Sequence, residues 1–166
     1  MTIFPQPSGG RIAGTRHFFA VRAYYEDTDL SGVVYHANYL RWFERARSDL
    51  LRLLGIDQRA AVEAGEGAYA VADLAIRYLR PARLDDDVLI VTECTRMRAA
   101  SCRMHQRALR LTRAGAEGEV LSEASLRIGF VAPGGQPRRQ PSGWRAAFQT
   151  FLDPEPSVTA SPESSA

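Results

Sequence analysis

From His17 to Tyr25 the chain runs through aromatic and branched residues (His17-Phe18-Phe19-Ala20-Val21-Arg22-Ala23-Tyr24-Tyr25), the texture of a strand. A polar loop over 26–32 follows, with Gly32 able to take a turn that other residues resist. The period then changes. Tyr39, Phe43, Ala46, Leu50 and Leu53 or Leu54 recur at steps of four and three and so share one face, while Arg41, Glu44, Arg45, Arg47, Ser48 and Asp49 fall largely elsewhere. That pattern predicts an amphipathic helix of about five turns, with Asn38 as its cap and Gly55 as its stop. A short second helix is expected over 57–64, capped by Asp57 and ended by Gly65.

The rest of the chain reads as long strands. Leu74, Ile76 and Tyr78 alternate with Asp73, Ala75 and Arg77; an apolar branched run covers 88–97; a third strand is expected over 101–112; and Val120, Ala124, Leu126, Ile128 and Phe130 face away from Glu123, Ser125 and Arg127. The turn over 113–118 predicts a hairpin between the last two. Gly134, Gly135, Pro137 and Pro141 end the sheet, and residues 142–151 suit a closing helix with Ser142 as cap. Residues 1–15, rich in Pro and Gly, read as a flexible lead. Residues 153–166, rich in Pro, Ser and acid, read as a disordered tail, leaving one domain over 16–152. One strand, one long helix, then four strands make an α+β class. A single helix cannot cover both faces of a sheet, so the sheet is expected to curl around it. A face or an edge then still needs cover, which predicts a dimer or a larger assembly.

Composition narrows this picture only a little. At 166 residues, 45% apolar and 24% charged, the chain is one ordinary globular domain. Its apolar runs are too short for a membrane span, and the N-terminus lacks the features of a signal peptide, so a cytoplasmic location is expected. Net charge of +2 gives no support to a nucleic-acid role. All 21 basic residues are arginine, the better fork for phosphate oxygens where one lines a pocket. Cys94 and Cys102 lack metal-type spacing and read as buried, reduced thiols.

The candidate chemistry gathers where the helix begins. The first N–H groups of a helix have no partner within it, and the helix dipole adds partial positive charge there. Such an end can hold an oxyanion that forms only in a transition state. Here it falls at 36–38, just after Asp27, Asp29 and His36, and Gly32 would let the loop fold back toward it. A carboxylate is ionised at neutral pH and serves as a nucleophile or holds a water, either of which suits an activated acyl group such as a thioester. Either Asp27 or Asp29 meets that requirement. His36 would polarise the carbonyl, position water or protonate the leaving group. A metal site on Asp27, Asp29 and His36 lacks a further ligand at metal spacing, so no metal is expected.

Tyr25-Glu26-Asp27-Thr28-Asp29, with Gly32-Val33-Val34-Tyr35-His36-Ala37-Asn38-Tyr39-Leu40, resembles the signature of hotdog-fold acyl-CoA thioesterases. The likeness points to the Tol–Pal-associated group and its 4-hydroxybenzoyl-CoA thioesterase relatives. It continues through Phe43-Glu44-Arg45-Ala46-Arg47, through Arg80-Pro81-Ala82-Arg83-Leu84-Asp85-Asp86, and through Ala100, Ser101 and Gln106, covering about residues 17–141. It implies a long central helix wrapped by a curved antiparallel sheet of about five strands, dimers that pair into tetramers, and no cofactor beyond the CoA of the substrate. It also places the catalytic carboxylate on Asp29, with His36 beside it and Gly32, Tyr35 and Asn38 in support. Arg96, Arg98, Ser101 and Arg103 fall where the family contacts CoA phosphates. Glu44 reads as a structural ion pair with Arg47 or Arg41. Met104 stands where an aromatic residue is common in the family and would reshape the acyl pocket. The partners implied are an acyl-CoA, further copies of the chain and, as an option, an acyl carrier protein. Two other readings remain open: a 3-hydroxyacyl-thioester dehydratase using His36 with Glu44, and a non-catalytic protein that binds acyl carriers or an envelope partner.

Overall fold

The computed structural model describes residues 4–152. Six antiparallel strands form one sheet: β1 (Arg11–Ala13), β2 (Arg16–Arg22), β3 (Ala68–Tyr78), β4 (Asp87–Met97), β5 (Ser101–Leu111) and β6 (Glu117–Val131), in the spatial order β1-β2-β4-β5-β6-β3. Between β2 and β3 lie the long helix α1 (His36–Leu53) and the short helix α2 (Gln58–Glu63), and α3 (Ser142–Leu152) follows the sheet. None of these helices is long and apolar enough to cross a membrane.

The helix α1 lies against the sheet along a stripe of Tyr39, Trp42, Phe43, Ala46 and Leu50, each nearly or wholly buried. Burying a side chain such as Phe43 or Leu50 stabilises the fold by about 1.5–3 kcal/mol before entropy is counted. Val88, Ile90, Ala108, Leu121 and Ala124 meet the first half of the stripe. Its second half packs on Met104, Leu126 and Ile128, with Phe148 and Phe151 of α3 closing that end. Trp144 of α3 sits 5.4 Å from the rings of both Tyr69 and Phe130. The helix stops where Gly55 takes φ 73°, and the N–H of Ile56 returns to the carbonyl of Leu51 at 2.9 Å. Asp57 caps α2 by accepting the N–H of Ala60 at 2.9 Å, as expected.

Several local expectations are corrected. Asn38 is not the cap of α1, because the cap position is Tyr35, whose side chain makes no capping bond. Ser142 is the first residue of α3, and the carbonyl of Pro141 takes the N–H groups of Trp144 and Arg145. Leu53, the last residue of α1, is nearly half exposed, while Leu50 and Leu51 are the buried leucines at that end of the helix, and Trp42 joins the stripe unforeseen. Arg47 and Asp49, assigned to the polar face, are buried. Arg47 reaches Gln106 Oε1 at 2.7 Å and pairs with Glu44.

Asp49 accepts His17 Nε2 at 2.7 Å and the N–H of Gly10 at 2.9 Å. The lead is therefore not loose throughout. A Cβ on Gly10 would meet the Phe18 carbonyl oxygen at 2.4 Å and Asp49 Oδ2 at 2.6 Å, so only glycine allows this approach. The bond from Gly10 ties the start of β1 to α1, and β1 pairs with β2 as a sixth strand, one more than expected. The predicted tail, 153–166, lies outside the described residues.

The two edges of the sheet differ. β1 covers β2, whereas β3 pairs only with β6 and stays exposed along most of its length, including Val71, Leu74 and Tyr78.

Candidate active site

The loop from β2 to α1 is held by its own polar groups. A 3-10 turn over Tyr25–Asp27 begins where the Asp27 carboxylate accepts the N–H of Tyr24 at 2.8 Å. The Asp27 carbonyl accepts both the N–H of Tyr35 and Asn38 Nδ2, each at 2.8 Å. Asn38 thus pins the loop to the helix from within its first turn. A tight turn follows, in which Asp29 N–H meets the Val33 carbonyl and Gly32 N–H meets the Asp29 carbonyl, both at 3.0 Å, with Gly32 at φ 78°. Val34 N–H then bonds the Ala82 carbonyl at 2.8 Å and anchors the returning strand.

These bonds separate the two candidate carboxylates. That of Asp27 is spent on the turn, while that of Asp29 faces solvent. Its oxygen accepts the Ser31 hydroxyl and, at 2.8 Å, the Ser31 N–H. Those two bonds, with a smaller contribution from nearby His36, hold its pKa below the ordinary carboxylate value, so it is ionised at neutral pH. The carboxylate is engaged by Ser31 and not by the helix N–H groups. Among the described residues no hydrogen bond uses the N–H of His36 or Ala37, and both remain open to an incoming acceptor.

His36 is the first residue of α1 and is exposed. Its ring lies 4.3 Å from that of Tyr35 and meets the edge of Tyr78 at 6.0 Å. Beside it opens an apolar groove of about 260 Å³ lined by Val33, Val34, His36, Tyr39, Tyr78 and Leu79. Met104 lies apart from this groove. It is buried with Tyr69, Ile128 and Phe148 around a pocket of about 50 Å³ between α1 and the sheet.

At the β4–β5 turn, Arg96, Arg98, Ser101 and Arg103 share one cleft of about 280 Å³. The sequence reading missed its fourth arginine, Arg127, which sits opposite Arg103 on β6 and pairs with Asp73 at 2.8 Å. Among the described residues no carboxylate neutralises Arg96, Arg98 or Arg103, so the cleft is an anion-attracting surface. Strand alternation was the one available hint to Arg127, and it marks only the face. Tyr78, also missed as a site residue, is reached solely through the fold.

Glu44 does not join the site. It pairs with Arg47, as expected, accepts the Ser48 hydroxyl at 3.3 Å, and lies more than two helical turns beyond His36. Gln106 is fully buried, bridging Arg47, the Phe43 carbonyl and Thr92, which makes it part of the core. Cys94 and Cys102 are both free, Cys94 half-buried and Cys102 buried. Burial pushes their thiols up to about 11 and about 12, the reverse of an activated thiolate.

One long helix wrapped by a curved antiparallel sheet, with an open helix terminus beside an ionised loop carboxylate, is the hotdog fold of a thioester hydrolase. The Haemophilus influenzae acyl-CoA thioesterase YbgC is 41% identical over 131 residues, 78% of this chain and 92% of that protein. The Escherichia coli acyl-CoA thioester hydrolase YbgC is 42% identical over 130 residues, again 78% and 92%. A solved structure of a probable thioesterase from Bartonella henselae superposes with a TM-score of 0.68 at 37% identity, covering 76% of this chain and 99% of that one. Residues 31–116 match the thioesterase superfamily, and the chain belongs to it.

Proposed function

We propose that this enzyme hydrolyses an acyl-CoA to the free acid and CoA, working in the cytoplasm as a homo-oligomer. The observation that carries the reading is the ionised, solvent-facing carboxylate of Asp29 beside the open N-terminus of α1. The substrate carbonyl sits with its oxygen toward the N–H groups of His36 and Ala37, where negative charge developing on that oxygen meets free donors and the helix dipole. Asp29 then acts in one of two ways. As a nucleophile it adds to the carbonyl carbon and the C–S bond breaks. CoA leaves as thiolate, and water hydrolyses the mixed anhydride. As a base it takes a proton from a water that attacks the same carbon. Both routes end in the same products. In this reading the His36 ring, flanked by Tyr35, orients the water or the leaving sulfur. Gly32 and Asn38 hold the loop in register with the helix.

Two features support CoA as the leaving group and a second copy as the partner. The cleft of Arg96, Arg98, Ser101, Arg103 and Arg127 suits the phosphates of a nucleotide. The free β3 edge with its exposed Val71, Leu74 and Tyr78 suits edge-to-edge pairing with another chain. A dehydratase would need His36 and Glu44 together, and within one chain they lie apart, with Glu44 tied to Arg47. A thiol-release assay over acyl-CoAs of several chain lengths tests the reading. Wild-type protein should release free thiol, and Asp29→Asn should lose at least about 10³-fold in kcat while remaining folded. Near-normal turnover in Asp29→Asn, or the absence of thiol release on every substrate, would reject it.

A further inference from the structure

We propose that Tyr78 is a positioning residue for the hydrolysis, its hydroxyl polarising the His36–Ala37 peptide so that the Ala37 N–H becomes a stronger oxyanion donor. This rests on the oxyanion site argued above. Tyr78 ends β3, and its hydroxyl donates to the carbonyl oxygen of His36 at 3.0 Å across a separation of 42 residues. That carbonyl belongs to the same peptide group as the Ala37 N–H. In a helix the two point in opposite directions along the axis, so a donor on the carbonyl flank is aligned with the N–H at the open end. A hydrogen bond to the oxygen of an amide draws electron density from its nitrogen. Each such bond strengthens the next in a chain by roughly 10–30%.

The bond is not one that folding requires. Tyr78 is nearly half exposed, so its hydroxyl could turn to water. A helical carbonyl, moreover, is already served by the N–H four residues on, leaving its second lone pair free. The phenol is nevertheless aimed at this one oxygen. Its ring is held there by edge contacts with Tyr39 at 5.6 Å and His36 at 6.0 Å. Tyr39 is fixed in turn by the N–H of Ala82, which donates to its hydroxyl at 3.0 Å. Desolvation raises the Tyr78 phenol above its ordinary value, so the group keeps its proton throughout the neutral range. The residue also joins the free edge strand to the helix start, so the site feels whatever sits on that edge.

Thiol-release kinetics on wild type, Tyr78→Phe, Asp29→Asn and a protein carrying 3-fluorotyrosine at position 78 test the idea. Phenylalanine keeps the ring contacts and removes only the donor, and fluorotyrosine is a stronger donor in the same place. Tyr78→Phe should lower kcat about 10-fold with KM within about two-fold and an unchanged melting temperature, a smaller effect than losing an oxyanion donor outright. Fluorotyrosine should match or exceed wild-type kcat. A Tyr78→Phe enzyme with wild-type kcat overturns the proposal, as does a kcat loss matched by a rise in KM or a fall in melting temperature. Fluorotyrosine with kcat below wild type overturns it too, and that protein decides the matter should Tyr78→Phe fail to fold. A silent wild type or an active Asp29→Asn rejects the hydrolytic reading itself. Loss in Asp29→Asn beside a normal Tyr78→Phe rejects only the role of Tyr78.

Discussion

Asp29 and Asp49 each have a histidine nearby, and solvent divides their fates. Asp29 lies in an exposed loop near His36, with Ser31 as its hydrogen-bond donor, and is held ionised. Asp49 lies inside the protein, 2.7 Å from a fully buried His17 and capped by the N–H of Gly10. The second pair has the better geometry and the closer contact, yet no substrate can reach it. It ties α1, β1 and β2 together. Hydrogen bonding distinguishes the pairs less than access does. A carboxylate can do chemistry on a substrate only where that substrate can arrive, and a buried pair of the same composition becomes part of the scaffold.

Exchanging the roles by mutation is the sharpest test of that contrast. Asp29→Asn should abolish turnover and leave the melting curve in place. Asp49→Ala should destabilise by about 3 kcal/mol, because it leaves the His17 Nε2–H and the Gly10 N–H without an acceptor, while the folded fraction keeps its activity. Denaturant titration paired with thiol release reads both. Should Asp49→Ala lose kcat at full stability, the buried pair belongs to the chemistry after all.

A pH titration of stability separates the pairs further. Burial holds His17 below its ordinary value, outweighing the opposing pull of Asp49. Its Nδ1 is buried and has no hydrogen-bond partner among the described residues, so a second proton there would be stranded. The unfolded chain therefore binds the proton first as pH falls. The stability held by neutral His17 is complete above about pH 6.5 and declines as pH drops through the depressed folded value. His17→Gln should flatten that decline when unfolding free energy is followed between pH 7 and pH 5. An unaltered slope would show that other groups carry it.

The smallest effect is expected at Ser31. Ser31→Ala removes the hydroxyl that does most to lower Asp29, so the acid limb of the kcat/KM profile should move to higher pH. Turnover at neutral pH should change little, since the carboxylate is ionised with or without that bond. An unmoved acid limb would mean that a group other than Asp29 governs it.

The contrast also marks what could be read along the chain. The turn at Gly32, a helix start within 36–38, the stop at Gly55 and the cap at Asp57 were all legible, because each depends on sterics and hydrogen bonds within a few residues. Of the four long strands, β3 and β6 were legible from alternation, β4 from its apolar branched run, and β5 from an imperfect alternation. Three of the misassigned residues, Arg47, Asp49 and Asn38, share one cause. Arg47 and Asp49 read as surface because they are charged, yet each finds a buried partner on a distant strand or segment. Asn38 read as a cap because of its type, yet it bonds a loop carbonyl eleven residues back.

The sequence by itself determined the polar loop that carries Asp29, the long helix beside it, the order of the long strands along the chain and the resemblance that singles out Asp29. Local backbone preferences and side-chain periods carry that information over a few residues at a time. Only the tertiary structure decided that His17 meets Asp49, that Arg127 faces Arg103 and that Tyr78 reaches the helix start 42 residues away. Those contacts depend on which strands become neighbours. Strand neighbours are chosen by the whole chain at once, where burial of the α1 stripe outweighs the entropy of closing long loops.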